Sequence, residues 1–240
     1  MTASPLTRFV LVGASHPGNI GAAARAMRVM GFADLVLVAP RDPAALRDAE
    51  AVARASGAVD VLETARVVDT LAQALDGVEI VCATAMTPRD FGPPTSAPRA
   101  FFDTLGAAPP GIAFVFGSER FGLANDEVYR CHVCLSIPTD PSYGSLNLAH
   151  AVQLIAYDWR QALGGFDVVA RTAPPETADA AAVQGLLAHW EQALIASGFL
   201  DPAAPKKLMP RLNQLFNRAR VTREEVDILR GIARTLAKQR

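Results

Sequence analysis

The chain has 240 residues, half of them hydrophobic and a fifth charged, which suits one or two packed domains and is too apolar for a disordered chain. At this length a core can bury roughly 70–75% of the unfolded surface, so neither a disulfide framework nor a structural metal is required. Apolar runs such as residues 111–117 fall far short of the ~18 residues of a membrane span. Residues 1–8 show no apolar signal core, and three cysteines cannot all pair, so a reducing, cytoplasmic setting is expected.

The net charge of −1 hides an asymmetry. Residues 205–240 hold ten Lys/Arg and three Asp/Glu, a balance of +7, whereas the other 204 residues hold thirteen and twenty-one, a balance of −8. Such a tail fits either a phosphate-rich partner or a solvated helical face.

In chain order, residues 9–13 read as a buried strand, 20–30 as an Ala- and Met-rich helix, and 35–39 as a second strand closed by Pro40. Asp42 followed by Pro43 predicts a helix cap with proline at the first helical position, and Gly57 predicts the stop. Residues 59–62 are expected as a strand, 64–75 as a helix and 78–83 as a strand. After a Pro-rich loop over 87–98 come a strand at 112–117, a short helix at 125–130 and a strand at 133–137. A long amphipathic helix over 145–163 ends at Gly164 and Gly165. Strands alternating with helices indicate an α/β domain, with a mostly parallel sheet covered on both faces.

Past Gly165 the pattern changes. Residues 166–178 lack periodicity and read as a linker. Three helices are predicted beyond it, over 178–197, 206–220 and 222–238, the last opened by the Thr-x-x-Glu capping box of Thr222 and Glu225. The expected organisation is a domain over 1–165 and a small basic helical extension over 179–240. On a helical wheel Lys207, Arg211 and Arg218 share a face.

Several familiar chemistries are excluded by what is missing. Gly13-Ala-Ser-His-Pro-Gly18 has Walker A spacing, but Asn19 and Ile20 stand where a lysine and a hydroxyl residue belong, and the dinucleotide spacing G-x-G-x-x-G also fails. Cys131-His-Val-Cys134 offers one CxxC pair without the second pair that a structural zinc needs, and it falls at the entry to a buried strand, where cysteine acts as a small hydrophobe. Neither His16 nor His150 belongs to a triad, and no G-x-S-x-G elbow occurs. What remains is a set of polar residues at element ends: Asn19 and Arg25 in the first helix, Gly117-Ser118-Glu119 after a strand, and Ser145-Leu146-Asn147 opening a helix. Each alone suits capping or surface packing, but all fall where open α/β sheets bind ligands, beyond the carboxyl ends of strands.

These residues carry a resemblance. Asn19-Ile-Gly21-Ala-Ala-Ala-Arg25 with the segment from Gly31, then Phe116-Gly-Ser-Glu-Arg-Phe-Gly122-Leu, then Ile137-Pro through Ser145-Leu-Asn147-Leu-Ala, resemble the three motifs of the SpoU class of SPOUT RNA methyltransferases, in order. His189-Trp-Glu-Gln-Ala-Leu, Ser197-Gly-Phe199, Leu215-Phe-Asn-Arg218-Ala-Arg220 and Ile228-Leu-Arg230-Gly-Ile232 extend the likeness to a branch of that class that acts on tRNA. The resemblance implies S-adenosylmethionine as methyl donor, a C-terminal trefoil knot in the catalytic domain, and a homodimer with paired active sites. It implies methylation of the ribose 2′-hydroxyl of cytidine or uridine at position 32 of the tRNA anticodon loop, with no metal and no membrane. By the same resemblance the cofactor pocket would comprise Thr84, Ala85, Met86, Gly117, Ile137, Gly144, Ser145 and Leu146. Catalysis would draw on Arg25, Asn19, Glu119, Ser145 and Asn147. RNA would be held by Arg25, Arg28, Arg89, Lys206, Lys207, Arg211 and Arg218. Two departures stand out: Gly144 where serine is common, and Ser118 where an arginine is expected.

In-line methyl transfer from a sulfonium needs alignment rather than a Lewis acid. Removing a proton from an unperturbed guanidinium at pH 7 costs at least ~7 kcal/mol, more than the ~3–5 kcal/mol that general base catalysis supplies. The arginine is therefore read as a charged clamp on phosphate and developing oxyanion. The competing readings are an SpoU-class enzyme acting on rRNA or another tRNA position, and a non-catalytic module that holds S-adenosylmethionine or a nucleotide.

Overall fold

The computed structural model describes residues 6–85, 89–106, 108–169 and 172–238, which fall into two compact units divided between Asp167 and Val168. The first unit runs β1 (Thr7–Val12), α1 (Pro17–Val29), β2 (Asp34–Val38), α2 (Ala49–Ala55), α3 (Val59–Thr64), β3 (Arg66–Val68), α4 (Leu71–Ala74) and β4 (Ile80–Thr84). It continues through β5 (Thr95–Ser96), α5 (Pro98–Phe102), β6 (Ile112–Phe116), α6 (Asn125–Val128), β7 (Val133–Leu135) and α7 (Leu148–Ala162). The seven strands form one sheet in the order β3-β2-β1-β6-β4-β7-β5, and every pairing is parallel. The expected parallel α/β sheet is present.

The central strands β1, β2 and β6 are buried on both faces, and their alternation decides which face each residue serves. Phe9, Leu11, Leu35, Leu37, Phe114 and Phe116 pack toward the side covered by α1, α2, α3 and α7. Val10, Val12, Val36, Val38, Ala113 and Val115 fill the opposite side, under Leu71, Leu123 and Val128. Trp159 on α7 is buried, packs edge-on to Phe102 and Phe114, and donates from Nε1 to Thr7 Oγ1 at 3.0 Å. Arg8, the buried cation of β1, is paired with Asp34 at 2.8 Å and donates to the carbonyls of Ala74 and Asp76, so its charge is not stranded in the core.

Four local expectations are corrected. Asp42 does not start a helix: its Oδ1 accepts from Ala44 N in a tight turn, and Asp48 caps α2 by accepting from Glu50 N at 2.7 Å. The α2–α3 break falls at Ser56, with φ of 53°, rather than at Gly57. Residues 59–62 are helical, because Ala51, Ala55, Ala58, Val61 and Leu62 make one buried stripe with helical spacing. The helix expected over 64–75 is instead divided among the end of α3, β3 and α4.

The second unit contains α8 (Ala180–Ala196), α9 (Leu208–Ala219) and α10 (Arg223–Ala237). Val183, Leu186, Leu187, Phe216, Val221 and Val226 form its core, and Thr222 and Glu225 make the expected reciprocal capping box. The segment expected as a linker is partly fastened at both ends. Phe166 stacks on Arg160, while Ala178 N donates to Val221 O and Arg223 N to Glu176 O.

The α1–α2 contact depends on one missing side chain. A Cβ at Gly21 would lie 2.0 Å from the carbonyl oxygen of Ala51, a backbone atom that cannot swing aside. Gly21→Ala is expected to cost about 1–3 kcal/mol by overpacking and to lower the melting temperature by several degrees. Gly57→Ala, where a Cβ meets nothing within 4 Å, serves as the silent control in the same thermal scan.

Candidate active site

The carboxyl ends of β1, β4, β6 and β7 lie along one edge of the sheet, and the loops leaving β4, β6 and β7 form a cavity of ≈ 290 Å³, at the small end of ligand-binding pockets. It is lined by Thr84, Ala85, Gly117, Ile137, Gly144, Ser145 and Leu146, together with Glu119, Arg120, Phe121 and Arg89. Seven of the eight cofactor residues expected from sequence are thus brought together; the eighth, Met86, lies outside the described residues. The walls are small. Thr84 turns its hydroxyl back to Val115 O at 2.7 Å, and a Cβ at Gly117 would strike the backbone of Gly122 at 2.0 Å, so the loop from 117 to 122 folds tightly on itself. Ser118 closes that turn: its carbonyl accepts from Gly122 N at 2.9 Å and its hydroxyl from Phe121 N at 3.4 Å. The residue standing where an arginine is expected therefore shapes the loop.

Glu119 is the hub. Its Oε2 accepts from Ser15 N at 3.1 Å and Ser15 Oγ at 2.9 Å, and its Oε1 from His16 N at 3.2 Å and Asn19 Nδ2 at 3.1 Å. Four donors fill a carboxylate's acceptor positions. Two are backbone groups at the start of α1, whose N-cap His16 supplies no side-chain cap, so Glu119 gives that helix the anion its dipole favours. Asn19 Oδ1 in turn accepts from Asn147 Nδ2 at 2.9 Å, and Asn147 Oδ1 caps α7 by accepting from Ala149 N at 2.9 Å. Donation runs one way, from the first turn of α7 through two amides to the carboxylate. Burial pushes the Glu119 carboxyl up, but the hydrogen bonds from Asn19, its own backbone and Ser15 outweigh it, and the net shift is downward. Ser15 carries no signal of this role in the sequence, since its partner is 104 positions away.

The remaining candidates are placed apart from the cavity or on its rim. Ser145 is exposed in the lining. Arg25 is exposed on α1, is not among the lining residues, and makes no hydrogen bond or ion pair among the described residues. Arg28 is engaged by Asp60 at 3.0 Å on the surface, whereas Arg89 belongs to the cavity wall. In the helical unit Lys206, Lys207, Arg211 and Arg218 are all exposed. Lys206, with φ of 50°, and Lys207, the N-cap of α9, precede the helix; only Arg211 and Arg218 lie within it, two turns apart on one face. Burial pushes the Cys131 thiol up to about 12 and raises that of Cys134, so the CxxC pair stays protonated and takes no part as a nucleophile.

Comparison with known proteins agrees with this geometry. Residues 7–157 match the SpoU rRNA Methylase family, and the chain belongs to that family. Residues 181–240 match the C-terminal domain of tRNA methyltransferase TrmJ, and it is with the TrmJ proteins that the chain groups. It is 44% identical to a tRNA (cytidine/uridine/adenosine-2′-O-)-methyltransferase TrmJ of Pseudomonas aeruginosa, over 94% of this chain and 91% of that one. It is 41% identical to a tRNA (cytidine/uridine-2′-O-)-methyltransferase TrmJ of Yersinia pestis, over 97% and 91%. The crystal structure of TrmJ from Z. mobilis ZM4 superposes with a TM-score of 0.81 at 34% identity, covering 98% of this chain and all of that one. Among the described residues no helix is long and apolar enough to cross a membrane.

Glu119 ties acid sensitivity to the site. Because its carboxyl is held below the ordinary value, its stabilisation is complete above the unfolded value of about 4.3 and is lost as pH falls through the lower, folded value. Glu119→Gln puts a donor where Ser15, His16 and Asn19 already donate. The melting-temperature gap between the two proteins is expected to be widest above about pH 5 and to close as pH falls below the ordinary carboxyl range; a gap that does not vary with pH would deny the carboxylate this role.

Proposed function

We propose that this protein transfers a methyl group from S-adenosylmethionine to the ribose 2′-hydroxyl of cytidine or uridine at position 32 of the tRNA anticodon loop. The observation that carries the reading is the Asn147–Asn19–Glu119 chain, which joins all three sequence motifs at the rim of one cavity beyond the strand ends. A module that only held a nucleotide has no need of that network together with an exposed Arg25 that has no ion-pair partner among the described residues. The tRNA methyltransferase names of the relatives, and the tail they share with this chain, favour tRNA over rRNA.

The cavity fits the donor. Its walls combine small residues (Thr84, Ala85, Gly117, Gly144, Ser145) with apolar Ile137 and Leu146 and the charged Glu119 and Arg120, which suits a ligand that joins a flat base, a ribose and an amino-acid end. Thr84, Ala85, Gly117, Ile137, Gly144, Ser145 and Leu146 would hold it, with Met86 beside them. Bound there, S-adenosylmethionine supplies an electrophilic methyl group on a positively charged sulfur. The protein then has to present the ribose hydroxyl in line. Glu119, with every acceptor position occupied, orients α1 and α7 rather than taking a proton. Arg25 is the charged clamp on the phosphate and on the oxygen as its proton passes to solvent water and the sulfonium becomes the neutral thioether. Crossings of the segments that line the cavity would form the trefoil knot.

Arg25 stands outside the cavity lining of its own protomer, so in the proposed homodimer it serves the cavity of the partner. Leu154 and Tyr157 on α7 and Val29 at the end of α1 are large apolar side chains left exposed, as a subunit interface leaves them in a single chain.

Incubating the protein with labelled S-adenosylmethionine and tRNA, then mapping the modified nucleotide, is expected to place label on the 2′-oxygen at position 32; label elsewhere in tRNA, or only in rRNA, would move the substrate. Mixing Arg25→Ala with Gly117→Trp protomers is expected to restore activity through heterodimers. Silence after proven subunit exchange would place Arg25 and the cavity in one chain.

The basic tail is read as tracking the tRNA backbone, positioning without specifying. Lys207→Glu with Arg211→Glu is then expected to weaken tRNA binding and to flatten the log–log salt dependence by roughly 0.7–0.9 per lost contact. An unchanged slope in a salt titration would make these side chains a solvated face only.

A further inference from the structure

We infer that Phe121, with Arg120, is a base-stacking platform at the lip of the cavity, holding an unstacked nucleobase next to the ribose that is methylated. The inference rests on the proposed RNA substrate. Phe121 is 77% exposed, so the face of its ring is open to a ligand. It is not a loose side chain on a loose loop. The turn beneath it is closed by the Ser118–Gly122 hydrogen bond, Gly122 holds φ of +67°, and the backbone at Gly122 presses against Gly117 so closely that a Cβ there would not fit. The ring is therefore presented outward by a tightly packed turn. The Arg120 guanidinium lies 5.2 Å from its centroid, and both side chains line the cavity beside Glu119.

The chemistry selects the ligand. A flat π face with a cation on it, both free of acidic partners among the described residues, suits a ligand that alternates aromatic rings with negative charge, and single-stranded RNA does so at every nucleotide. A ribose hydroxyl within a stacked anticodon loop is also hard to bring in line, and capturing the adjacent base on a fixed ring would hold the nucleotide open for attack. Stacking tolerates any base, so the platform would set position rather than sequence.

The test uses the full-length protein and unmodified tRNA. Phe121→Ala is expected to raise the KM for tRNA by about five- to 150-fold, the equivalent of one lost base–aromatic stack, while Phe121→Tyr and Phe121→Trp stay near the unsubstituted protein. The tryptophan introduced by Phe121→Trp is expected to lose fluorescence on adding tRNA, beyond any change shown by the unsubstituted protein. An unchanged KM in Phe121→Ala, with methyl transfer intact in the unsubstituted protein, would overturn the platform and leave the proposed function standing. A loss of the dimer in Phe121→Ala by sedimentation would overturn it in favour of a subunit contact. No transfer to RNA by the unsubstituted protein would overturn the function and the platform together.

Discussion

The site depends on one carboxylate. Glu119 leaves β6 and accepts four hydrogen bonds from the start of α1, and through Asn19 and Asn147 it is bonded to the first turn of α7. Those three points belong to three loops that leave different strands. Without the carboxylate, two backbone amides at the start of α1 lose their acceptor, and the two asparagines lose the anion toward which their amides are ordered. In a linked chain of this kind each bond polarises the next, so the rim is held as one connected set. The cost is conformational freedom in the loops, met by the buried central strands beneath them.

That sheet supplies the rigidity through its two-sided burial. Alternate residues of β1, β2 and β6 fill cores on opposite faces, so a strand cannot slip by one residue without exchanging the two sets. The strand ends are thereby fixed relative to one another, and the cavity inherits their spacing. Close approaches extend the same logic: Gly21 lets α2 touch α1, and Gly117 lets the turn at Gly122 fold back. In both cases the absence of a side chain is what the sequence contributes.

Much of this was legible in the sequence. The apolar runs at β1, β2 and β6 and the amphipathic α7 could be read because burial on both faces or on one stripe leaves an unambiguous pattern. Residues 59–62 were misleading: four residues are too few to separate a strand from a helix, and only with Ala51, Ala55 and Ala58 does the helical stripe appear. Asp42 and Asp48 are equally good caps by type, and tertiary packing chose the second. Thr84, Ala85, Ile137 and Gly144 were accessible only through resemblance, because they share no local pattern, whereas Gly117, Ser145 and Leu146 fall in segments that stand out at element ends. The role of Glu119 was beyond local reading altogether, since its partner Asn19 is 100 positions away and Asn19 meets Asn147 across 128.

Asn19 and Asn147 are bonded to each other, and the proposed function requires them to act as one unit at the rim of the cavity. A double-mutant cycle on single-turnover methyl transfer measures this directly. Asn147→Asp keeps the oxygen that caps Ala149 and removes the donor to Asn19, while Asn19→Ala removes the middle of the chain. If the two act as a unit, the double variant is no slower than Asn19→Ala alone, with a coupling of about 0.5–3 kcal/mol. If the two losses simply multiply, the residues act independently and the network does not govern the site.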